Sequence, residues 1–270
     1  MSSLRVSIFI RTYAGDFAWL AYCLRSIHRN LSGWDEIVVC VPRGMEEGLR
    51  PLLTTERLVT CEPFADDYIG QQVSKLQSHR HTLGQFVLFV DSDVVFLPGG
   101  SVLDYFADGK PVIRKERYDE LSFPDARCWQ PIVEDLFGTK PEWEYMRSGG
   151  VMLFDLETLQ RFAERFPDIE SYAKARPFRS FTEFNYLGFF AEQTHPERYH
   201  FADLIREQPG PMPHACFWSW GGIDLKVQYE LEELGLKPRW PGFANFAYRL
   251  AKRTGMVGIW ERLRPPPRRF

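Results

Sequence analysis

Residues 86–97 of the chain read FVLFVDSDVVFL, an apolar run that only the segment Asp91-Ser92-Asp93 interrupts. A run of this composition predicts a buried β-strand. Two unpaired carboxylates inside such a strand would each cost several kcal/mol, so we expect the chain to reach the surface at this point. A divalent cation that neutralises both side chains is the simplest compensation, and the pattern therefore predicts a metal site at Asp91 and Asp93.

The composition is that of a globular protein. The chain has 270 residues, of which 44% are hydrophobic and 26% charged, and this is enough for one large domain with its own core. A net charge of -3 argues against a dedicated nucleic-acid-binding protein. Five cysteines without C-x-x-C spacing indicate a reducing compartment rather than a disulfide framework or a zinc site. We find no signal-peptide or membrane-spanning pattern and expect a cytoplasmic protein.

Strand and helix patterns alternate over the first hundred residues. Strands are predicted at residues 5–10, 36–41, 57–61 and 86–90, and helices at residues 17–29, 45–53 and 68–83. Asp66 or Asp67 is expected to cap the third helix. Later elements are predicted at residues 101–106, 111–114, 150–155, 156–166, 182 onward and 224–234, with an irregular stretch up to residue 145. This alternation predicts a parallel sheet that helices cover on both faces.

Ligands of open α/β sheets bind beyond the carboxyl ends of the parallel strands. The segment Arg11-Thr12-Tyr13 leaves the first strand at that edge, and Asp91 leaves a later strand there. On the helix that precedes residue 86, Gln72, Lys75 and His79 share one polar face. We expect Lys75 to contact a phosphate or the two aspartates, and a solvated helix face is the alternative.

An apolar strand followed by Asp-x-Asp is typical of two chemistries. In one, both carboxylates hold Mn²⁺ or Mg²⁺, which also binds a nucleotide diphosphate. In the other, Asp91 is a nucleophile and Asp93 a general acid/base, as in haloacid-dehalogenase-type phosphatases. That phosphatase pattern usually opens its domain and needs a later acidic pair, whereas about ninety residues precede Asp91 and no convincing pair follows. The context favours the first chemistry, and a structural role as a turn cap stays open.

Four segments carry a resemblance to a known class of enzymes. Residues 6–13 with 20–27 are similar to the opening of family 2 glycosyltransferases, and residues 71–76 with 87–93 resemble the run into their metal motif. Residues 147–155 resemble the strand that borders the donor sugar, and residues 181–188 a helix start found in a bacterial glycosyltransferase group. The chain therefore resembles nucleotide-sugar glycosyltransferases of the GT-A fold. The resemblance implies an α/β protein with a GT-A-like, Rossmann-type mixed sheet and helices on both faces.

The resemblance also implies roles for individual residues. Asp91 and Asp93 would bind the metal ion, with His214 as a third ligand. Glu183, at the start of a helix, would be the general base of an inverting enzyme, and a carboxylate that merely stabilises the helix N-terminus is the alternative. The residues expected to bind the nucleotide-sugar donor are Arg11, Thr12, Tyr13, Gln72, Lys75, Ser92, Ser148, Gly149 and Gly150.

The partners follow from the same resemblance. A UDP-sugar is the expected donor of a hexosyltransferase-like reaction, although residues 39–42 (VCVP) lack the aspartate with which family 2 enzymes bind uracil. The acceptor would be a saccharide or a lipid-linked saccharide, bound along residues 118–145. A non-catalytic nucleotide- or sugar-binding protein of the same fold is the further alternative. Residues 1–240 would form the glycosyltransferase domain, and the basic, aromatic residues 241–270 a helix and tail that contact a membrane surface or pack on the domain.

Overall fold

The computed structural model describes residues 4–236, Leu250 and Thr254. The strands, in chain order, are β1 (Val6–Arg11), β2 (Leu31–Ser32), β3 (Glu36–Pro42), β4 (Arg57–Cys61), β5 (Phe86–Asp91), β6 (Val94–Phe96), β7 (Gly100–Ser101), β8 (Phe106–Ala107), β9 (Lys110–Arg117), β10 (Trp143–Glu144), β11 (Val151–Asp155), β12 (His200–Asp203) and β13 (His214–Cys216). The α-helices are α1 (Phe17–Asn30), α2 (Glu46–Leu49), α3 (Asp67–Leu76), α4 (Trp129–Phe137), α5 (Leu156–Arg165), α6 (Ile169–Lys174), α7 (Glu183–Thr194) and α8 (Leu225–Glu233).

The central sheet contains five strands in the order β11-β5-β1-β3-β4. The strands β1, β3, β4 and β5 run parallel, and β11 runs antiparallel to β5. All six residues of β1 are buried, as expected of a strand that is covered on both faces. The sheet is therefore mixed, in agreement with the predicted fold class.

Helices cover both faces of this sheet. Successive side chains of a strand point to opposite faces. Phe9 and Phe89 accordingly pack into one core cluster with residues of α3, α5 and α7. Ile8, Ile10 and Leu88 pack into a second cluster with residues of α1. The alternation of β1 and β5 between two apolar clusters confirms the predicted layers.

The helix that precedes β5 is shorter than its sequence pattern predicts. The pattern extends over residues 68–83, whereas α3 ends at Leu76 and a 3-10 turn follows at residues 78–80. The chain has to return to β1 before β5 begins, and a Cβ at Gly84 would lie 2.7 Å from the backbone nitrogen of Ser7. At the other end, Asp66 caps α3 by accepting a hydrogen bond of 3.0 Å from the backbone nitrogen of Tyr68.

The stretch that ends at residue 145 is more regular than predicted. It contains α4 and the strand β10, which pairs with β9 in a second sheet of the order β10-β9-β12. The strand β9 matches the element predicted at residues 111–114. The sequence pattern hides α4 because Pro131 lies in its first turn, where the missing N–H costs no helical hydrogen bond. Within the described residues no helix is both long and apolar enough to cross a bilayer. The predicted C-terminal helix and tail lie outside the described residues apart from Leu250 and Thr254.

Replacement of Gly188 by alanine is expected to destabilise the fold. Gly188 lies in α7, and a Cβ at this position would come within 2.4 Å of the ring of Tyr145, which is fully buried. Overpacking outweighs the better helix propensity of alanine, so we expect a net loss of about 1–2 kcal/mol in the free energy of unfolding, measured by urea denaturation. Gly210→Ala is the control, because no atom lies within 4 Å of its Cβ position. Equal stability of the two variants would contradict the expected clash.

Candidate functional site

Asp91 ends β5 at the carboxyl edge of the central sheet, beside Arg11 of β1. Its backbone nitrogen donates a hydrogen bond of 3.0 Å to the carbonyl oxygen of Gly150. Gly150 has a φ of +78°, and a Cβ there would lie 2.9 Å from Oδ2 of Asp91. Gly149 has a φ of +58°, so two left-handed glycines bring the chain into β11 against the carboxylate. The predicted proximity of the Ser148-Gly149-Gly150 turn to the aspartate motif is therefore present in the structure.

Lys75 is the cation that Asp91 contacts. Its Nζ atom donates hydrogen bonds of 2.7 Å both to Oδ1 of Asp91 and to Oε1 of Glu183. The side chain is only 2% exposed, and its ammonium group lies 4.3 Å from the ring centre of Phe184. Burial lowers the pKa of Lys75, but the two carboxylates outweigh burial and hold the pKa above its usual value. Lys75 therefore remains charged and compensates part of the negative charge at Asp91.

Glu183 lies behind Lys75 and not on an open surface. Its side chain is 5% exposed, and burial raises its pKa in spite of the attraction of Lys75. Gln72 lies in the same buried layer, where its Oε1 atom accepts a hydrogen bond of 3.2 Å from the backbone nitrogen of Glu183. A general base has to contact the proton that it accepts. Glu183 is better placed to hold Lys75 than to contact an acceptor hydroxyl, and Gln72 is better placed to hold α7 than to bind a donor.

Asp93 follows the strand end and is held by a distant turn. Its Oδ2 atom accepts a hydrogen bond of 2.8 Å from the backbone nitrogen of Ser219, and its carbonyl oxygen accepts one of 2.9 Å from Phe217. Burial, with repulsion from Asp91, raises the pKa of Asp93 to about 7. The carboxylate is therefore poorly compensated by its surroundings.

Asp16 is a third carboxylate at this edge. Its Oδ2 atom accepts a hydrogen bond of 3.2 Å from the hydroxyl of Ser92, and the Ser219 side chain lies within hydrogen-bonding reach. It stands at the N-terminus of α1 but makes no capping hydrogen bond with its side chain. Burial raises the pKa of Asp16 to about 6 in spite of the two serines. Ser92, predicted to lie near the donor ribose, thus contacts a carboxylate that the sequence analysis missed.

The last residue of β1, Arg11, forms an ion pair with another aspartate. The guanidinium of Arg11 is buried and forms a two-pronged ion pair with Asp67. The Nε atom of Arg11 and the hydroxyl of Thr12 are buried without a hydrogen-bond partner among the described residues. Tyr13 is 38% exposed. Of the three predicted nucleoside contacts, Tyr13 therefore presents a ring to solvent, whereas Arg11 is already paired.

His214 has no free ring nitrogen in this arrangement. Its Nδ1 atom accepts a hydrogen bond of 2.7 Å from the hydroxyl of Tyr105, and its Nε2–H donates one of 2.9 Å to the carbonyl oxygen of Ser148. Burial lowers the pKa of His214 to about 4, so the ring is neutral at pH 7. A metal ligand needs a nitrogen lone pair that points at the metal. In this arrangement His214 holds the turn before β11 with both ring nitrogens engaged, and its part as a third metal ligand stays a prediction.

Asp91 and Asp93 together fit a divalent cation in the way that hard cations are usually bound. Asp91, Asp93 and Asp16 share one edge with a single lysine, and burial together with mutual repulsion raises the pKa of Asp93 and Asp16. Mg²⁺ and Mn²⁺ take one or two protein carboxylates and fill the remaining positions with phosphates and water. Among residues 4–236 no group of three His, Cys, Asp or Glu side chains is arranged to hold a metal alone. The donor set thus fits a cation that is shared with a phosphate ligand.

Two residues of this site, Asp16 and Ser219, were missed by the sequence analysis. Asp16 directly precedes α1 at the ligand edge, so its position along the chain was a usable signal. Ser219 had no such signal, because 126 residues separate it from its partner Asp93. The contact of Ser219 with the aspartate depends on the pairing of β13 with β6.

The comparisons with known proteins concern the fold. No protein-family model and no curated protein matches the chain. Among solved structures, the chain matches the galactosyltransferase LgtC in complex with donor and acceptor sugar analogs, with a TM-score of 0.53 and 12% identity over 88% of this chain and 99% of LgtC. This match confirms the GT-A-like fold that the four sequence segments predict.

Two weaker matches have lower TM-scores. The apo-form glycosyltransferase GlyE of Streptococcus pneumoniae TIGR4 matches with a TM-score of 0.41 and 12% identity over 74% of this chain. The chain spans 46% of the length of GlyE. A 4-diphosphocytidyl-2C-methyl-D-erythritol synthase from Anaerococcus prevotii DSM 20548 matches with a TM-score of 0.46 and 14% identity over 74% of this chain and 87% of the synthase.

The raised pKa of Asp93 predicts a specific pH dependence of stability. Because the folded state binds the Asp93 proton more tightly than the unfolded state, the contribution of this group to the free energy of unfolding falls as pH rises from about 4 to about 7. Asp93→Asn removes this loss of stability. It keeps a side-chain oxygen that can accept the hydrogen bond from the backbone nitrogen of Ser219. With a chelator present, the free energy of unfolding of the variant minus that of the wild type should therefore increase by about 1–3 kcal/mol as the pH rises from about 5 to about 8.

Urea denaturation at several pH values measures this gain. Asp119→Asn is the control, because Asp119 is exposed and its ion pair with Arg117 lowers its pKa. Addition of Mn²⁺ at about pH 8 should stabilise the wild type and leave Asp93→Asn unchanged. A stability difference that does not change with pH would contradict the assignment of Asp93 as an uncompensated carboxylate.

The ion triad of Lys75, Asp91 and Glu183 predicts that substitutions at Lys75 and Glu183 have non-additive effects on the free energy of unfolding. Lys75→Met leaves Asp91 and Glu183 without their common cation and should lower the free energy of unfolding by about 3–5 kcal/mol. The further change Glu183→Gln removes one of the two unpaired charges, so the double variant should be more stable than Lys75→Met alone. Denaturant midpoints of the wild type, both single variants and the double variant give the coupling energy. Additive losses would show that the two side chains do not interact in solution.

Proposed function

We propose that the chain is a metal-dependent glycosyltransferase that moves a sugar from a nucleotide-sugar donor to a saccharide or lipid-linked acceptor. The observation that carries the proposal is the position of Asp91 and Asp93 at the carboxyl end of β5 in a GT-A-like sheet, where the buried Lys75 pairs with Asp91 and the pKa of Asp93 is raised. Ligands of open α/β sheets bind at this edge. The chemistry of the edge, which is rich in carboxylates and poor in cations, suits a ligand that brings a divalent cation with it.

Mn²⁺ or Mg²⁺ would be held by Asp91 and Asp93, and it would supply positive charge to the leaving nucleoside diphosphate. The protein's own part is to keep the two carboxylates in place. Lys75 holds one oxygen of Asp91, and the backbone of Ser219 holds one oxygen of Asp93. Both contacts orient the aspartates before a cation binds, which lowers the cost of reaching the reactive arrangement.

The donor nucleoside would lie over the segment that leaves β1. Tyr13 offers an exposed ring for the base, and the unpartnered hydroxyl of Thr12 offers a hydrogen bond. Asp67 is bound to Arg11, so this pair would reach the nucleoside only as a unit. A UDP-sugar is the favoured donor. Ser148, Gly149 and Gly150 would line the side where the donor sugar meets Asp91, because glycine permits close approach to the backbone.

In this proposal Glu183 is a positioning residue and not the general base. It acts on Asp91 through Lys75, and its burial keeps the ammonium group in place. A carboxylate of the exposed edge is the better candidate for proton acceptance, since a raised pKa brings a carboxylate closer to neutral pH. Asp16 has this property and lies beside Ser92.

Calorimetric titration with a panel of nucleoside diphosphates tests the proposal. In the presence of Mn²⁺ the wild type should bind at least one of them, and a chelator should abolish binding. Asp93→Ala removes one of two cation ligands and should weaken metal-dependent binding by at least roughly 10–100-fold. Asp119→Ala is the matched control, because Asp119 is exposed and pairs with Arg117 on β9.

Two outcomes would contradict the proposal. A wild type that binds no nucleotide but releases phosphate from a generic phosphomonoester would favour the phosphatase chemistry. Metal-dependent nucleotide binding without donor hydrolysis or sugar transfer would favour a non-catalytic binding protein. Donor hydrolysis, followed through release of the nucleoside diphosphate from several nucleotide sugars, separates these outcomes from the transferase.

A further inference from the structure

Two tryptophans protrude from the turn that holds Asp93. Trp218 is 74% exposed and Trp220 is 59% exposed. Their ring centres are 5.9 Å apart and their planes are inclined by 76°, so the two rings contact each other at an edge. Large aromatic rings that remain together in solvent lose the stabilisation of burial, and such a patch commonly marks a binding surface.

The turn is attached directly to the aspartate motif. The backbone nitrogens of Phe217 and Ser219 donate to the carbonyl oxygen and to Oδ2 of Asp93, at 2.9 Å and 2.8 Å. Trp218 lies between these two donors, and Trp220 is the next residue after Ser219. Neighbouring Cα atoms are about 3.8 Å apart, so both tryptophans begin within one or two residue lengths of the Asp93 contact.

The turn is also well supported. The ring of Phe217 packs against that of the buried Trp19 with 5.5 Å between their centres. Gly221 and Gly222 donate backbone hydrogen bonds of 3.0 Å and 2.9 Å to the carbonyl oxygens of Trp218 and Ser219. A supported turn loses little conformational entropy when a ligand binds to its side chains. The two rings are thus presented from a fixed base at the edge of the candidate site.

The surroundings of the rings disfavour an anionic ligand. Asp16 and Asp93 lie on the same side of the molecule, and Ser219 approaches both. Carboxylates repel an anionic lipid surface and an anionic acceptor group. A sugar ring has an apolar C–H face that stacks on an indole and hydroxyl groups at its rim that accept and donate hydrogen bonds. Neutral sugars therefore match both the rings and the polar groups beside them.

We propose that Trp218 and Trp220 form an acceptor platform, on which an uncharged sugar ring of the acceptor stacks next to Asp93. This inference rests on the proposed glycosyltransferase function and narrows its acceptor to a neutral saccharide at the reacting end. It also moves the acceptor side from residues 118–145 to the turn at residues 217–222. The acceptor hydroxyl would then approach the donor from the side of Asp93.

The test compares platform variants with a matched exposed aromatic. The variants are Trp218→Ala, Trp220→Ala and their combination, together with the conservative pair Trp218→Phe and Trp220→Phe. Phe123→Ala is the control, since Phe123 is 68% exposed and belongs to the segment at residues 118–145. Four properties are measured on the full chain: thermal midpoint, donor hydrolysis without acceptor, acceptor KM and kcat with neutral mono- and disaccharides, and saccharide binding by saturation-transfer NMR.

The platform predicts a selective loss. The double alanine variant should raise the acceptor KM and weaken saccharide binding by about tenfold or more, which corresponds to about 1.4 kcal/mol. Donor hydrolysis and the thermal midpoint should stay near the wild-type values, because the substituted rings are exposed. The phenylalanine variants should recover part of the loss, and Phe123→Ala should behave like the wild type.

Several results would overturn the inference. One is a double alanine variant whose acceptor KM and saccharide binding are unchanged. Another is a Phe123→Ala variant that loses saccharide binding while the double alanine variant keeps it. A third is that the alanine variants lose only binding to vesicles of phosphatidylcholine and phosphatidylglycerol, which would make the rings a membrane contact. A wild type that binds saccharides on these rings but neither binds nor hydrolyses any nucleotide sugar would overturn the proposed function itself, and with it the acceptor role.

Discussion

The contact between Lys75 and Asp91 is the constraint on which the rest of this site depends. A buried ammonium group requires carboxylate partners, and the structure supplies one from β5 and one from α7. The helix α3, the nearby strand β5 and the distant helix α7 therefore have to meet at one point. Gln72 strengthens this meeting by accepting from the first backbone nitrogen of α7. The position of Asp91 is thus determined by a buried ion triad as well as by the end of its strand.

Lys75 compensates only part of the negative charge at the carboxyl edge of the central sheet. The remaining negative charge determines which ligands this edge can bind. Asp16 and Asp93 both have a raised pKa, and each is held by neutral donors and not by a cation. Their hydrogen bonds keep the carboxylates in place without neutralising them. Such an arrangement is costly for the protein alone and favourable once a divalent cation is shared between protein and phosphate. In the proposed function, this balance would favour a nucleoside diphosphate with a bound cation over a ligand without one.

Much of the fold could be predicted because its signals are local. The strands β1, β3, β4 and β5 are apolar runs bounded by turn residues, and the cap at Asp66 is a single-residue signal beside its helix. The errors have a common cause. The helical pattern before β5 continued past Leu76, although Gly84 has to approach Ser7. The helix α4 was missed because Pro131 and the preceding turn hide its start.

The sequence by itself determined that two carboxylates lie at the end of a buried strand and that Lys75 shares their edge, because strand and helix periods place residues on faces. Only the tertiary structure decided what holds them. Glu183 lies 108 residues from Lys75, and Ser219 lies 126 residues from Asp93. The two ring nitrogens of His214 contact Tyr105 and Ser148, which lie 109 and 66 residues away along the chain. Such contacts depend on the path of the whole chain, and no local period in the sequence encodes them.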